Sequence, residues 1–204
     1  MHQLMNQNAT RGCGLLENFL AKLRANKVNA LIPPQARRGA ILDIGCGIHP
    51  LFLLQTNFYK KYGLDKSISK NGIQRLSNES LFIQNHNIGG RGIPFNDGFF
   101  DIITMLAVFE HINPLKLKKI TNEVYRVLKS NGLFIMTTPA PWSDKLLKLM
   151  AKANFVSPEE IDEHQDVYSR GKISAILQER RFQKNKIASG YFELGLNIWA
   201  KTIK

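Results

Sequence analysis

The sequence predicts an α/β protein built on a doubly wound, mostly parallel sheet, and three observations predict it. Short apolar runs recur along the chain with helix-length segments between them. A glycine pair, Gly45 and Gly47, stands directly behind the first of these runs in "ILDIGCGIHP". The closing stretch, "NKIASGYFELGLNIWAKTIK", reads as two strands joined near Gly195. Alternating strands and helices imply parallel strands covered on both faces. A tight connection can only join antiparallel neighbours, so the last strand should run against the others.

The elements follow in order. From Gly14 to Leu31 the apolar residues Leu15, Leu16, Phe19, Leu20 and Leu23 recur at helical spacing, and Pro33 and Pro34 stop the pattern. "AILDIG", "FYKKYGLD", "LFIQNHNI", "FDIITMLAV" and "GLFIMTTP" are strands, each rich in Ile, Leu, Phe or Thr. Between the last two lies a helix with Asn113 as N-cap, Pro114 at its first position and Leu117, Ile120, Val124 and Val127 along one face; Gly132 is expected just beyond its end. After Pro139, "SDKLLKLMAKA" is helical, "SPEEI" forms a capping box on Ser157, Pro158 and Glu160, and "KISAILQERR" is a further helix.

With 204 residues the chain suits one domain, 1–204, with residues 1–13 as a flexible N-terminal tail. No apolar stretch approaches the roughly 18 residues of a membrane span, and the polar N-terminus resembles no secretory signal, so a cytoplasmic setting is expected. Cys13 and Cys46 read as free thiols. The net charge of +12, from 28 Lys and Arg against 16 Asp and Glu, favours nucleic acid, acidic surfaces or an anionic substrate as partners. The excess is spread over short clusters without a polybasic run, which is the pattern of a solvated basic surface.

In a doubly wound sheet, ligands lie beyond the carboxyl ends of the strands, where a glycine-rich first loop lets backbone touch ligand. A pyrophosphate-binding loop needs G-x-G-x-x-G, but the third position here is Pro50 and no glycine follows until Gly63. A pyrophosphate ligand is therefore disfavoured.

"ILDIGCG", "YGLDKS", "GIPFNDGFFDIITMLAVFEHI" and "VLKSNGLFIMTTP" resemble, in order, the successive motifs of the class I S-adenosylmethionine-dependent methyltransferases, of the type 11-like branch. The resemblance covers roughly Ala40 to Pro139. It implies a Rossmann-like seven-stranded sheet in the order 3-2-1-4-5-7-6 with strand 7 antiparallel, and S-adenosyl-L-methionine as cofactor. Gly45, Cys46 and Gly47 would admit the cofactor's methionine portion and ribose. Asp43 would order the loop and meet the amino group through water. Asp65, about 20 residues on at the end of the second strand, would take both ribose hydroxyls in charge-assisted bonds. Lys66 would flank the adenine, and Leu106 would join the cofactor contacts. Two positions depart from the family pattern. His49 and Pro50 stand where a further glycine is common; His49 is expected to cap the turn, with an approach to cofactor or substrate as the alternative. Where the family has an Asp after the third strand, Asn87 is the nearest candidate to accept from the adenine amino group, with Asn85 second.

Methyl transfer from a sulfonium is an in-line displacement that requires no metal, and no metal ligand set is assigned. The nucleophile must lose a proton, which His111 could take as base with Glu110 as its orienter or as a cofactor contact. A purely bracing role for that Glu-His pair is the alternative. His164 and Tyr168, in a segment (140–182) that covers the methyl end of the site in the resembling family, are substrate-side candidates. The chain has "TMLA" where adenine and glutamine N-methylating members carry [DNS]-P-P-[YFW], and it has no Pro-Cys nucleophile. A small-molecule O-, N- or C-methyltransferase is the reading this favours. An RNA methyltransferase using the basic surface, or a non-catalytic binding protein of the same fold, are the alternatives.

Overall fold

Apolar side chains point to both faces of the central strands, and the period-two geometry of a strand divides them between two cores. The computed structural model describes residues 16–69, 80–153, 155–156, 161, 164–179 and 181–204. The expected N-terminal tail, Cys13 and the Ser157–Glu160 capping box lie outside the described residues. Strands β1 (Ala40–Ile44), β2 (Lys60–Asp65), β3 (Leu81–Asn85), β4 (Phe100–Leu106), β5 (Leu128–Pro139), β6 (Ala188–Phe192) and β7 (Asn197–Ile203) form one seven-stranded sheet in the order 3-2-1-4-5-7-6. The pairs within β1 to β5 are parallel. β7 runs antiparallel to both β5 and β6, as the hairpin reading requires.

Helix α1 (Glu17–Leu31) and helix α2 (Leu51–Gln55) cover one face: Ala25, Val28, Phe52 and Leu53 pack with Ile41, Ile102 and Ile135. Alternate strand residues Leu42, Ile44, Ile103 and Met105 belong to the second core. Two short helices, α3 (Ile88–Arg91) and α5 (Asp144–Lys152), flank α4 (Pro114–Val127) and β5 in the chain; α4 and α6 (Arg170–Gln178) supply Leu117, Val124, Ile173 and Leu177 to that core.

The start of α4 matches its sequence signals. Asn113 Oδ1 accepts from Leu115 N at 2.9 Å, Pro114 occupies the first turn, and Leu117, Ile120, Val124 and Val127 are buried. Its end does not: the chain passes into β5 at Leu128, and Gly132 lies inside that strand. A glycine cap is unnecessary because Lys204 Nζ donates to the carbonyls of Tyr125 (2.7 Å) and Leu128 (2.8 Å), partners for acceptors that a helix end leaves open.

Helix α1 differs in its buried face. The sequence favours a leucine stripe, yet Glu17, Ala25 and Val28 are the buried residues and Phe19 is 58% exposed. The cause is a change of partner along the helix. Its second half packs on the sheet, while Leu20 in the first half packs against a separate small cluster of Ala151, Val156 and Ile161. No helix among the described residues is long and apolar enough to cross a membrane.

Candidate cofactor and acceptor site

The loop behind β1 is held in left-handed backbone at Gly45 (φ +76°) and Gly47 (φ +74°), where a side chain is strained. A Cβ at Gly45 would also stand 2.4 Å from Val108 Cγ2. Gly45 N donates to Leu64 O at 2.7 Å, which carries the β1–β2 pairing into the loop. Asp65 completes the tie: its carboxylate accepts from Gly47 N at 2.9 Å and from Ser67 N at 2.7 Å. Asp43 is 3% exposed and accepts from Thr104 Oγ1 on β4 at 2.6 Å. Burial raises its pKa to about 7 despite that bond, and the neighbouring charge of Asp65 pushes the same way. Burial likewise pushes the Cys46 thiol up, keeping it neutral, and its sulfur is unbridged.

These residues open onto a cleft of about 480 Å³ beyond the carboxyl ends of β1, β2 and β4, within the roughly 300–1,000 Å³ usual for small-molecule sites. Asp43, Gly45, Cys46, Gly47, Asp65 and Lys66 line it, and so do Asn87 and Leu106. These eight residues thus border one cavity. Asn87 caps α3, its Oδ1 accepting from Gly89 N at 3.0 Å. Asn85, the second candidate, does not line the cleft; its amide donates to the carbonyls of Lys66 and Ile68. His49 lines the cleft instead of capping: the turn into α2 is closed by backbone, Leu51 N donating to His49 O at 2.7 Å, and no side chain caps the helix.

The turn after β4 supplies a further part of the lining. Glu110 is 3% exposed and accepts from Thr138 Oγ1 of β5 at 2.9 Å, while its carbonyl accepts from Gln165 N at 2.7 Å. That second bond draws in the segment carrying His164. The His111 and His164 rings meet edge to face with centroids 5.0 Å apart, and both residues line the cleft. Burial lowers the His164 pKa, with Asp144 opposing, so the ring favours its neutral form.

Tyr168 is not brought to the cleft. It is fully buried in the core against Phe109, its hydroxyl donating to Ile112 O at 3.2 Å, because its aromatic bulk fills the space between α6 and the turn after β4. The cleft also contains residues the sequence reading missed. Glu17 and Arg24 of α1, Asn113 and Lys116 at the start of α4, and Asn197 of β7 line it. The signal was faint: Glu17 is an acid within an apolar helical stretch, and Asn113 was assigned to capping alone.

A glycine loop, a carboxylate closing β2 and a carboxylate-imidazole wall, set at the carboxyl edge of a sheet ordered 3-2-1-4-5-7-6, define the class I S-adenosylmethionine-dependent methyltransferase architecture. The sequence matches the methyltransferase domain family over residues 16–186, and the chain belongs to that family. It is 30% identical over 165 residues to an uncharacterised protein of Methanocaldococcus jannaschii, a match covering 76% of this chain and 68% of that one. It is 26% identical over 127 residues to the tRNA N(3)-methylcytidine methyltransferase Mettl2 of Drosophila melanogaster, a match covering 57% of this chain and only 37% of the fly protein. A SAM-dependent methyltransferase from Archaeoglobus fulgidus superposes with a TM-score of 0.66 at 16% identity, covering 91% of this chain and 98% of the other, a likeness of fold.

Proposed function

We propose that the chain methylates a small-molecule O, N or C nucleophile from S-adenosylmethionine, bound along the β1–β2 edge of the cleft. The observation that carries this is that the two sets of groups the reaction needs line one cavity. When bound, S-adenosylmethionine supplies a methyl group already activated on a sulfonium sulfur. The groups present fit it: Asp65 offers a carboxylate to the ribose hydroxyls, Asp43 one to the amino group, and the Gly45–Gly47 backbone admits close approach. Lys66, Asn87 and Leu106 bound the adenine side.

On the acceptor side, His111 takes the proton of the nucleophile, and Glu110, fixed by Thr138, orients the ring. His164 faces the acceptor beside it, and Leu147, Val156, Ile161 and Gln165 line the same cleft. Arg24, Lys66 and Lys116 put positive charge in the cleft, which suits an anionic acceptor.

A second reading, an RNA methyltransferase, draws on the +12 charge and the similarity to the tRNA enzyme. Turnover of an RNA acceptor that falls steeply with salt favours it, whereas salt-insensitive turnover of a small acceptor counts against it.

The first test is calorimetric titration of S-adenosylmethionine. The wild type should bind, and Asp65→Ala should weaken binding by about 100-fold, the loss of a charged hydrogen-bond acceptor to two hydroxyls. Equal affinity in the two proteins would remove Asp65 from the cofactor site.

A further inference from the structure

Methyl transfer requires no metal, and the sequence assigns no ligand set, yet the fold assembles one. Glu110, His111 and His164 each place a potential ligand atom within 4.8 Å of the others. No sequence spacing announces the group, because His164 arrives from a distant segment tied to Glu110 O through Gln165 N.

We propose that these three side chains bind one divalent first-row transition metal at the acceptor end of the cleft. Two imidazoles and one carboxylate are a donor set suited to Zn2+, Mn2+, Co2+ or Fe2+, and three protein ligands leave coordination open for a substrate. Ligands at about 2.0–2.2 Å from a shared ion lie roughly 3–3.5 Å apart, so binding draws the three atoms together by about an ångström, within the reach of side-chain rotation.

Two features support the assignment. Glu110 is 3% exposed, and a carboxylate so placed is stabilised by a cation. Thr138 Oγ1 donates to Glu110 Oε2 at 2.9 Å and fixes the plane of the carboxylate, as second-layer partners of metal ligands do.

The site lies in the wall that the preceding section gives to the acceptor, and its chemical consequence rests on that reading. A hydroxyl occupying the open coordination position has its pKa lowered by the ion: the O–H bond breaks, the electron pair stays on the metal-bound oxygen, and the proton leaves to solvent. Such a site selects oxygen acceptors over carbon ones, and it makes His111 a ligand in place of a base.

The test uses the full chain without an affinity tag, stripped with chelator and dialysed. Co2+ is titrated while its visible d–d absorption is followed, and Zn2+ and Mn2+ are titrated by calorimetry. The expected result is one equivalent bound, with affinity lower by at least about 100-fold in His164→Ala and in Glu110→Gln, since loss of second-layer partners alone costs about 10–100-fold. Thr138→Val should cost about 10-fold, and His49→Ala, in the same cleft, should leave binding unchanged. His164→Gln serves if the alanine variant fails to fold.

Absence of a d–d band, or a band that persists in both His164 variants, overturns the site. S-adenosylmethionine is titrated separately in excess chelator. Cofactor binding without metal binding sinks the metal site and leaves the methyltransferase reading standing. Metal binding without cofactor binding does the reverse.

Discussion

At its carboxyl end, α4 spends a cation on structure. Arg126 donates through Nε and Nη2 to Glu123 at 2.8 Å each, through Nη1 to Asp97 (2.7 Å) and Phe95 O (2.8 Å), and through Nη2 to Ile93 O (2.9 Å). Glu123 in turn accepts from Ile93 N at 3.0 Å. The "IPFNDGFFD" loop is thereby clamped where Phe95, Phe99, Phe100 and Tyr62 stack edge to face, with centroids 4.8–5.6 Å apart. At the amino end the same helix presents Asn113 and Lys116 to the cleft, beside acids and imidazoles whose protonation burial has displaced. The two ends hold similar residue types. What separates them is that the clamp pairs charge with charge, whereas in the cleft burial is the largest influence on the protonation of Asp43 and His164, which is how binding sites hold groups poised for a ligand.

The sharpest way to break that contrast is Arg126→Ala. It takes the guanidinium donor from two carboxylates and two carbonyls, and with the Arg126 and Glu123 side chains 31% and 29% exposed solvent offsets part of the loss, so the expected cost is about 2–3 kcal/mol. That corresponds to a Tm lower by roughly 4–12 °C in a chain of this size. Because the Arg126 hydrogen bond, first among its causes, holds the Glu123 pKa down, the clamp stabilises fully above about 4.5 and fades as pH falls through the lowered folded-state value. The variant should lose that acid limb in thermal melts while binding S-adenosylmethionine within about twofold of wild type. Cofactor affinity that falls along with stability would show the two ends to be one coupled unit.

Asp43 tests the other side. Its pKa of about 7 means that the folded protein keeps a proton which the unfolded chain gives up near 3.8, so this residue's contribution to stability declines as pH rises from about 4 to about 7. Asp43→Asn removes that decline and should be more stable than wild type at pH 8. A cationic amino group bound nearby favours the carboxylate. S-adenosylmethionine binding at pH 6 should therefore release close to one proton, and about none at pH 8.5. Titrations in two buffers of different ionisation enthalpy measure this directly; identical heats at pH 6 would mean that Asp43 does not sense the cofactor.

How far the sequence reached follows the same division. Strands buried on both faces announce themselves as apolar runs, so β1, β4 and β5 were readable from Ile41, Ile103 and Phe134, and Asn113 with Pro114 marked the start of α4. The cleft residues behind β1 and β2 were readable because they sit at fixed offsets from those strands. Placements decided by distant partners were not. Lys204 capping α4 made a glycine stop superfluous, Leu20 turning to Ala151 and Ile161 rotated the face of α1, and Tyr168 went to the core. His164 reaches His111 through an irregular segment, where no periodicity records the meeting.

The smallest expected effect concerns Asn87. The family pattern calls for an Asp at this position to accept from the adenine amino group, and the Asn87 carbonyl already accepts from Gly89 N as the cap of α3. Asp caps a helix as well as Asn does, so Asn87→Asp should leave stability within about 0.5 kcal/mol. It adds a negative charge beside the adenine side of the cleft and turns a neutral hydrogen bond into a charge-assisted one. A gain of roughly 3- to 10-fold in S-adenosylmethionine affinity is expected, with little change for an analogue lacking the adenine amino group. If both ligands gain equally, the added charge acts on the cofactor's cation as a whole and Asn87 is no adenine contact; if neither gains, the capping role is the whole of its function.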